Sequence, residues 1–122
     1  MARVILSDTN IHEKITSKIG GGHQDVINQV IQSISTKDVV VIGMRQNPFC
    51  KSAKKKLNSK DIDYQYLEYG SYFSEWKPRL AIKIWSGWPT LPMIFVKGCL
   101  IGGSYELGKL LASDDFSKLL TK

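Results

Sequence analysis

Cys50 and Cys99 are the two thiols of this chain, and their surroundings differ. Cys50 closes the run Asn47-Pro48-Phe49-Cys50, in which Pro48 suits the first turn of a helix. A thiol in such a turn, with Lys51 and Lys54 close by, stands where the helix N-terminus and nearby cations favour the thiolate. The chemistry this setting suits is thiol–disulfide exchange. The default for a lone cysteine is different: Cys50 shielded behind Pro48 and Phe49, packing as a small apolar residue. Cys99 follows a strand turn and is expected to pair with neither thiol nor metal. With two Cys and two His far apart, no metal site is expected within the chain.

A second stretch, Gly87 to Glu106, suits the holding of a small extended peptide. Only X-Pro bonds adopt cis at low cost, and a cis Leu91-Pro92 bond would turn the N–H and C=O of Leu91 outward. A bound peptide could then pair with them as an added strand. Gly102 and Gly103 allow close approach of a ligand to the backbone. Ser104 opens a helix whose N-terminal end suits a carboxylate. Arg79 and Lys83, on the preceding helix, could add charge near the same groove, although a solvated face is the default for both, for Arg79 above all. Trp85 and Trp88 are expected in the core or the groove wall. The plainer alternative is a hairpin with ordinary turns.

The 122 residues make one domain, long enough to bury a core without disulfide staples. Hydrophobic residues are 43% and charged residues 23%, as in ordinary globular proteins. No apolar run reaches membrane-spanning length, and the first residues lack a secretory pattern. A net charge of +6, from 17 Lys and Arg against 11 Asp and Glu, suits anionic small molecules or acidic partners. Apart from Lys51, Lys54, Lys55 and Lys56 the cations are scattered, so nucleic acid is not expected, and that cluster reads as a solvated helix face.

Residues 1–24 read as an N-terminal extension, with a small strand over Val4–Leu6, a helical turn or two over His12–Ile19 and a break at Gly20-Gly21-Gly22. Residues 25–122 read as the folded domain. Val26, Ile27, Val30, Ile31 and Ile34 share one face of a helix capped near Gln24 or Asp25. Val39–Ile42 has the unbroken β-branched character of a central strand. A basic amphipathic helix runs from Phe49 to Asn58, and a strand from Tyr64 to Tyr69. A helix ends at Trp85, beginning near Lys77 with Pro78 in its first turn, and its apolar face carries Trp76, Leu80 and Ile84 with Ile82 and Trp85. Two short strands, Met93–Val96 and Leu100–Ile101, join through Lys97-Gly98. Helices follow over Ser104–Leu111 and Asp114–Leu120. This order predicts an α/β fold, a four-stranded mixed sheet flanked by helices.

Val39–Ile42 followed by Asn47-Pro48-Phe49-Cys50 resembles the glutaredoxin family of the thioredoxin fold. Trp88-Pro89-Thr90-Leu91-Pro92 is similar to that family's Thr-Val-Pro turn, its Trp-Pro start being closest to the monothiol branch. Lys97-Gly98 with Ile101-Gly102-Gly103 resembles the family's strand-to-helix glutathione site. The resemblance implies a glutathione-linked thiol–disulfide oxidoreductase, with glutathione as co-substrate or ligand and glutathione or glutathionylated proteins as partners. It implies a monomer and no membrane partner, in the cytoplasm or an organelle.

Departures from the family pattern bear on activity. Family members usually carry Cys-Pro-Tyr-Cys or Cys-Gly-Phe-Ser here, so Asn47 stands at the nucleophile's position and Cys50 at the resolving one. Met44 replaces a frequent Lys, with Arg45 beside it as the candidate substitute. Ser104-Tyr105 replaces a frequent Cys-Asp, which loses the acidic partner or shifts it to Glu106. The implied glutathione groove comprises Arg45, Asn47, Phe49, Lys83, Leu91, Pro92, Gly102, Gly103 and Ser104, with Cys50 as the candidate catalytic thiol. Without a thiolate at Asn47, no iron–sulfur cluster is expected. The alternative to an enzyme is a catalytically silent glutathione- or peptide-binding module, or an interaction protein.

Overall fold

A computed structural model describes residues 3–121. The β-branched run Val39–Gly43 forms β1 at the centre of a four-stranded sheet. Its neighbours are β2 (Gln65–Glu68), parallel to it, and β3 (Met93–Val96), antiparallel. β4 (Cys99–Gly102) pairs antiparallel with β3, giving the order β2-β1-β3-β4. Alternation along β1 divides the core. Val40 and Ile42 join Met93, Phe95, Ile27, Val30, Ala81 and Ile82 on the face covered by α1 (Gln24–Thr36) and α3 (Trp76–Ser86). Val39 and Val41 join Ala53, Leu57, Ile94, Leu107 and Phe116 on the other face. That face is covered by α2 (Pro48–Ser59), α4 (Ser104–Leu111) and α5 (Asp115–Leu120). The expected mixed sheet with helices on both faces is present.

Several local expectations give way. Val4–Leu6 forms no strand; these residues are exposed, and 3-10 turns follow over Asp8–Asn10 and Glu13–Gly21, the second kinked at Ile19 and Gly20. Met1 and Ala2, at the start of the expected extension, lie outside the described residues. The second of these turns lies against α3, where Gly21 meets Ala81. Neither Gln24 nor Asp25 caps α1: the cap position falls on His23, held at φ 54° with no side-chain cap bond. Ile31 stands exposed.

The face assigned to α3 is also corrected. Trp76, Leu80 and Ile84 are exposed, while Arg79, Ala81 and Ile82 are buried. Arg79, expected on a solvated face, is buried because its guanidinium donates to the carbonyls of Tyr69 (2.8 Å) and Ser74 (2.5 Å). A buried cation is tolerated when such acceptors surround it, and these bonds fasten the 69–74 loop to α3.

Candidate functional site

The loop after β1 delivers Asn47 to the start of α2. Asn47 is the N-cap, with extended backbone, and Pro48 supplies the preset φ of the first turn. Its side-chain Oδ1 accepts from the backbone N–H of Phe49 (2.9 Å) and of Cys50 (3.0 Å). The carboxamide thus takes both helix-terminal donors that a thiolate at this position would receive. Its Nδ2 reaches the Tyr72 hydroxyl at 3.5 Å. Asn47→Ala is expected to destabilise the fold by about 1 kcal/mol, the typical worth of an Asn cap. A lowered urea midpoint with unchanged denaturant slope is the readout.

Cys50 is 1% exposed and points into the core beside Met44 and Leu67. Tyr66 lies next to it, its hydroxyl 3.5 Å from the Met44 carbonyl oxygen and its ring under the Lys54 ammonium at 4.1 Å. Gly43 makes room for this tyrosine: a Cβ there would collide with the Tyr66 hydroxyl. Burial pushes the Cys50 thiol up from its ordinary range; the Met44 backbone, the Tyr66 hydroxyl and Lys54 pull the other way without reversing it. Burial, with Cys50 as neighbour, also raises Tyr66, and burial raises Tyr69.

These shifts fix the sign of an alkaline effect. The unfolded chain releases the cysteine proton above about pH 8.5 and the tyrosine protons above about pH 10. The folded chain keeps all three longer, so the unfolded state binds fewer protons and stability falls as pH rises. The loss is expected to begin above about pH 8.5 and steepen above about pH 10. Cys50→Ala should flatten its first part when urea midpoints are followed against pH.

Beside Asn47 opens a cleft of about 220 Å³, lined by Phe49, Trp88, Thr90, Leu91, Pro92 and the start of α4 from Gly103 to Glu106. The Leu91-Pro92 bond is cis. Among the described residues neither the N–H nor the C=O of Leu91 finds a hydrogen-bond partner. Gly102 holds φ 110°, and a Cβ on it would strike the Glu106 stem at 2.8 Å, so glycine is required. A Cβ on Gly103 would sit 3.3 Å from the Pro92 carbonyl oxygen and 3.7 Å from Trp88 Nε1. That indole nitrogen is buried without an acceptor. A larger cavity of about 550 Å³ lies at the other end of β1 and β2, lined by Thr36–Val39 and Asp63–Gln65, away from Cys50.

Of the residues expected around a groove, the structure brings together Phe49, Leu91, Pro92, Gly103 and Ser104, with Gly102 and Asn47 just behind. Ser104 is not available as a ligand hydroxyl, because it is buried between helices. Its Oγ accepts from Lys56 Nζ (3.0 Å) and lies 3.1 Å from Ser52 Oγ. Lys56 and Lys54 are therefore not simply solvated, as the lysine cluster suggested. Arg45 turns to Glu68 (Nε to Oε2, 3.5 Å), and neither it nor Lys83 lines the cleft. Glu106 does not stand free as an acidic partner; its Oε1 accepts from the Gly103 N–H at 2.9 Å. Cys50 lies beneath the cleft, outside its lining. Thr90 and Tyr105 were not singled out as groove residues; both flank positions that were, which is the signal that would have found them. Among the described residues no group of three or more His, Cys, Asp or Glu could hold a metal ion.

Comparison with known proteins agrees with this architecture. The glutaredoxin family model matches residues 39–101. A glutaredoxin-like protein of Dictyostelium discoideum is 50% identical over 91 residues, covering 75% of this chain and 74% of the relative. The mitochondrial glutaredoxin-2 of Bos taurus is 28% identical over 110 residues, covering 86% and 67%. Among solved structures, a buckwheat glutaredoxin in complex with glutathione superposes with a TM-score of 0.68 at 22% identity, covering 80% of this chain and 89% of the other. With the thioredoxin-like sheet, the cleft beside the helix cap and a family match running from β1 into β4, this chain belongs to the glutaredoxin family.

Proposed function

We propose that this chain is a glutaredoxin-type binding module that holds glutathione, or a glutathione-like peptide, without exchanging thiols through the usual position. The observation that carries this reading is the Asn47 carboxamide, which occupies the two amides at the start of α2. A ligand thiol brought to that point meets an amide that cannot form a disulfide. Cys50 is no substitute, since its sulfur is buried and its ionisation is suppressed.

The cleft keeps what binding requires. Leu91 offers an unpaired N–H and C=O, suited to an extended peptide added as a strand. Gly103 leaves an opening beside the unpartnered Trp88 indole N–H, a donor that a ligand oxygen would satisfy after a small displacement. Two free cysteines suit a reducing compartment such as the cytoplasm. Among the described residues no helix is long and apolar enough to cross a membrane.

Calorimetric titration with reduced glutathione tests the proposal. Saturable binding to the native protein is expected, weakened about tenfold or more, roughly 1.4 kcal/mol, by Gly103→Val, which fills the cleft. Absence of binding overturns it. Turnover of a glutathionylated substrate that disappears in Cys50→Ser would instead establish the oxidoreductase reading.

A further inference from the structure

Lys56, half-buried in the last part of α2, places its ammonium on the first turn of α4. Nζ donates to the Ser104 carbonyl oxygen (2.8 Å) and to the Ser104 hydroxyl (3.0 Å). Ser52, one turn earlier on α2, also reaches that hydroxyl, Oγ to Oγ 3.1 Å. Gly108 keeps the path of the lysine stem clear: a Cβ there would stand 3.3 Å from Nζ and 3.6 Å from Cε.

A cation in this place runs against the helix dipole, which favours anions at an N-terminus and cations at a C-terminus. The same arrangement raises the positive potential where α4 meets the cleft. Ser104 and Tyr105 line that cleft. Their backbone N–H groups, the first two of α4, have no partner among the described residues. Trp88 Nε1, buried without an acceptor, borders the same place, 3.7 Å from where a Cβ on Gly103 would sit. Glu106 takes the Gly103 N–H at 2.9 Å and leaves the next two amides free. Its negative charge, on the cleft lining, would oppose an anionic ligand. Lys56 is the cation bonded to the same turn that balances it. Lys109 rests over the Tyr105 ring (5.0 Å) but is exposed, so water and salt screen it more than they screen Lys56.

We propose that Lys56 sets the cleft's preference for an anionic ligand: its ammonium, bonded to Ser104, favours a carboxylate that accepts from the Ser104 and Tyr105 amides. Lys56 does not line the cleft, so it acts through the turn and its charge, as a positioning residue. The inference rests on the reading of the cleft as a glutathione-type site and adds the residue, one helix away, that decides which end group the site accepts.

Lys56→Gln, which keeps a donor for Ser104 and removes the charge, is compared with Lys56→Arg, which keeps the charge and changes the shape; Lys56→Met replaces the Gln variant should that not fold. Calorimetric titration with reduced glutathione should show affinity about tenfold weaker in the neutral variant and restored in Lys56→Arg. A purely structural role would make the Arg variant at least as weak as the Gln one. Acetate and acetamide, followed through the Ser104 and Tyr105 amide shifts of 15N-labelled protein, test the charge without any peptide. Acetate should shift both amides in the unaltered protein and far less in the neutral variant, and acetamide should shift neither. Unchanged glutathione affinity in the neutral variant, or failure of Lys56→Arg to restore it, overturns the inference and leaves glutathione binding standing. Acetate shifts that depend on Lys56 in a protein that binds no glutathione overturn the glutathione reading and leave the role of Lys56 standing. Absence of glutathione binding together with acetate shifts indifferent to Lys56 overturns both.

Discussion

Iodoacetamide added to the native protein is expected to alkylate Cys99 and to leave Cys50 unmodified until denaturant is added. Cys99 is exposed at the start of β4, an edge strand of the sheet, whereas Cys50 is shut off behind the first turn of α2. Two effects act together on Cys50. Its sulfur must be uncovered by local opening, and an opening free energy of only about 2.7 kcal/mol already slows reaction about a hundredfold. Burial also raises its pKa, so the thiolate fraction at neutral pH is smaller than for an ordinary cysteine. Peptide mapping after timed alkylation should therefore show Cys99 reacting at least about a hundredfold faster. Comparable rates would remove the physical basis for calling the native site silent.

Asn47→Cys should turn the module into an active thiol. The introduced sulfur would stand where Asn47 Oδ1 now accepts from the Phe49 and Cys50 amides. Hydrogen bonds and the positive end of α2 would stabilise its thiolate, with Lys51 and Lys54 adding to the effect. Cysteines in such settings have pKa values of roughly 3.5–7.5. The variant should form a mixed disulfide with oxidised glutathione at neutral pH and show reductase turnover well above that of the unaltered protein. A drop in stability of about 1 kcal/mol should accompany the gain, because sulfur is a poorer cap than a carboxamide. A folded variant that remains inert would mean that the cleft itself no longer presents the ligand.

Much of the scaffold can be read from residue order. Val39–Ile42 is legible as a central strand because it is buried on both faces, which leaves an unbroken β-branched run. The Gly102-Gly103 pair and the Leu91-Pro92 turn are legible because their backbone needs restrict residue choice. The buried side of α3 is not. Periodicity points to Trp76, Leu80 and Ile84 and away from Arg79, since no local pattern shows that carbonyls of the 69–74 loop will receive its guanidinium. Ser104 fails as a ligand for the same reason: Lys56 and Ser52, about 50 residues earlier in the chain, claim its hydroxyl. The cap made by Asn47 had a visible signal, Asn followed by Pro at a helix start. The lack of a cysteine at this position does not by itself show that the carboxamide takes the two helix-terminal amides. The capture of Glu106 by the Gly103 amide is likewise a half capping box, four residues long in the sequence and invisible once that acid is considered only as a ligand contact.

The central claim is that a ligand cleft persists here without its attacking sulfur. Titrating 15N-labelled protein with reduced glutathione, and then with oxidised glutathione under native conditions, tests it most directly. Saturable shifts at the amides of Leu91, Gly103 and Tyr105, with Cys50 recovered unmodified after exposure to the oxidised form, are the predicted result. Unmoved amides around the cleft, or a glutathione adduct on Cys50 of the folded protein, would contradict it.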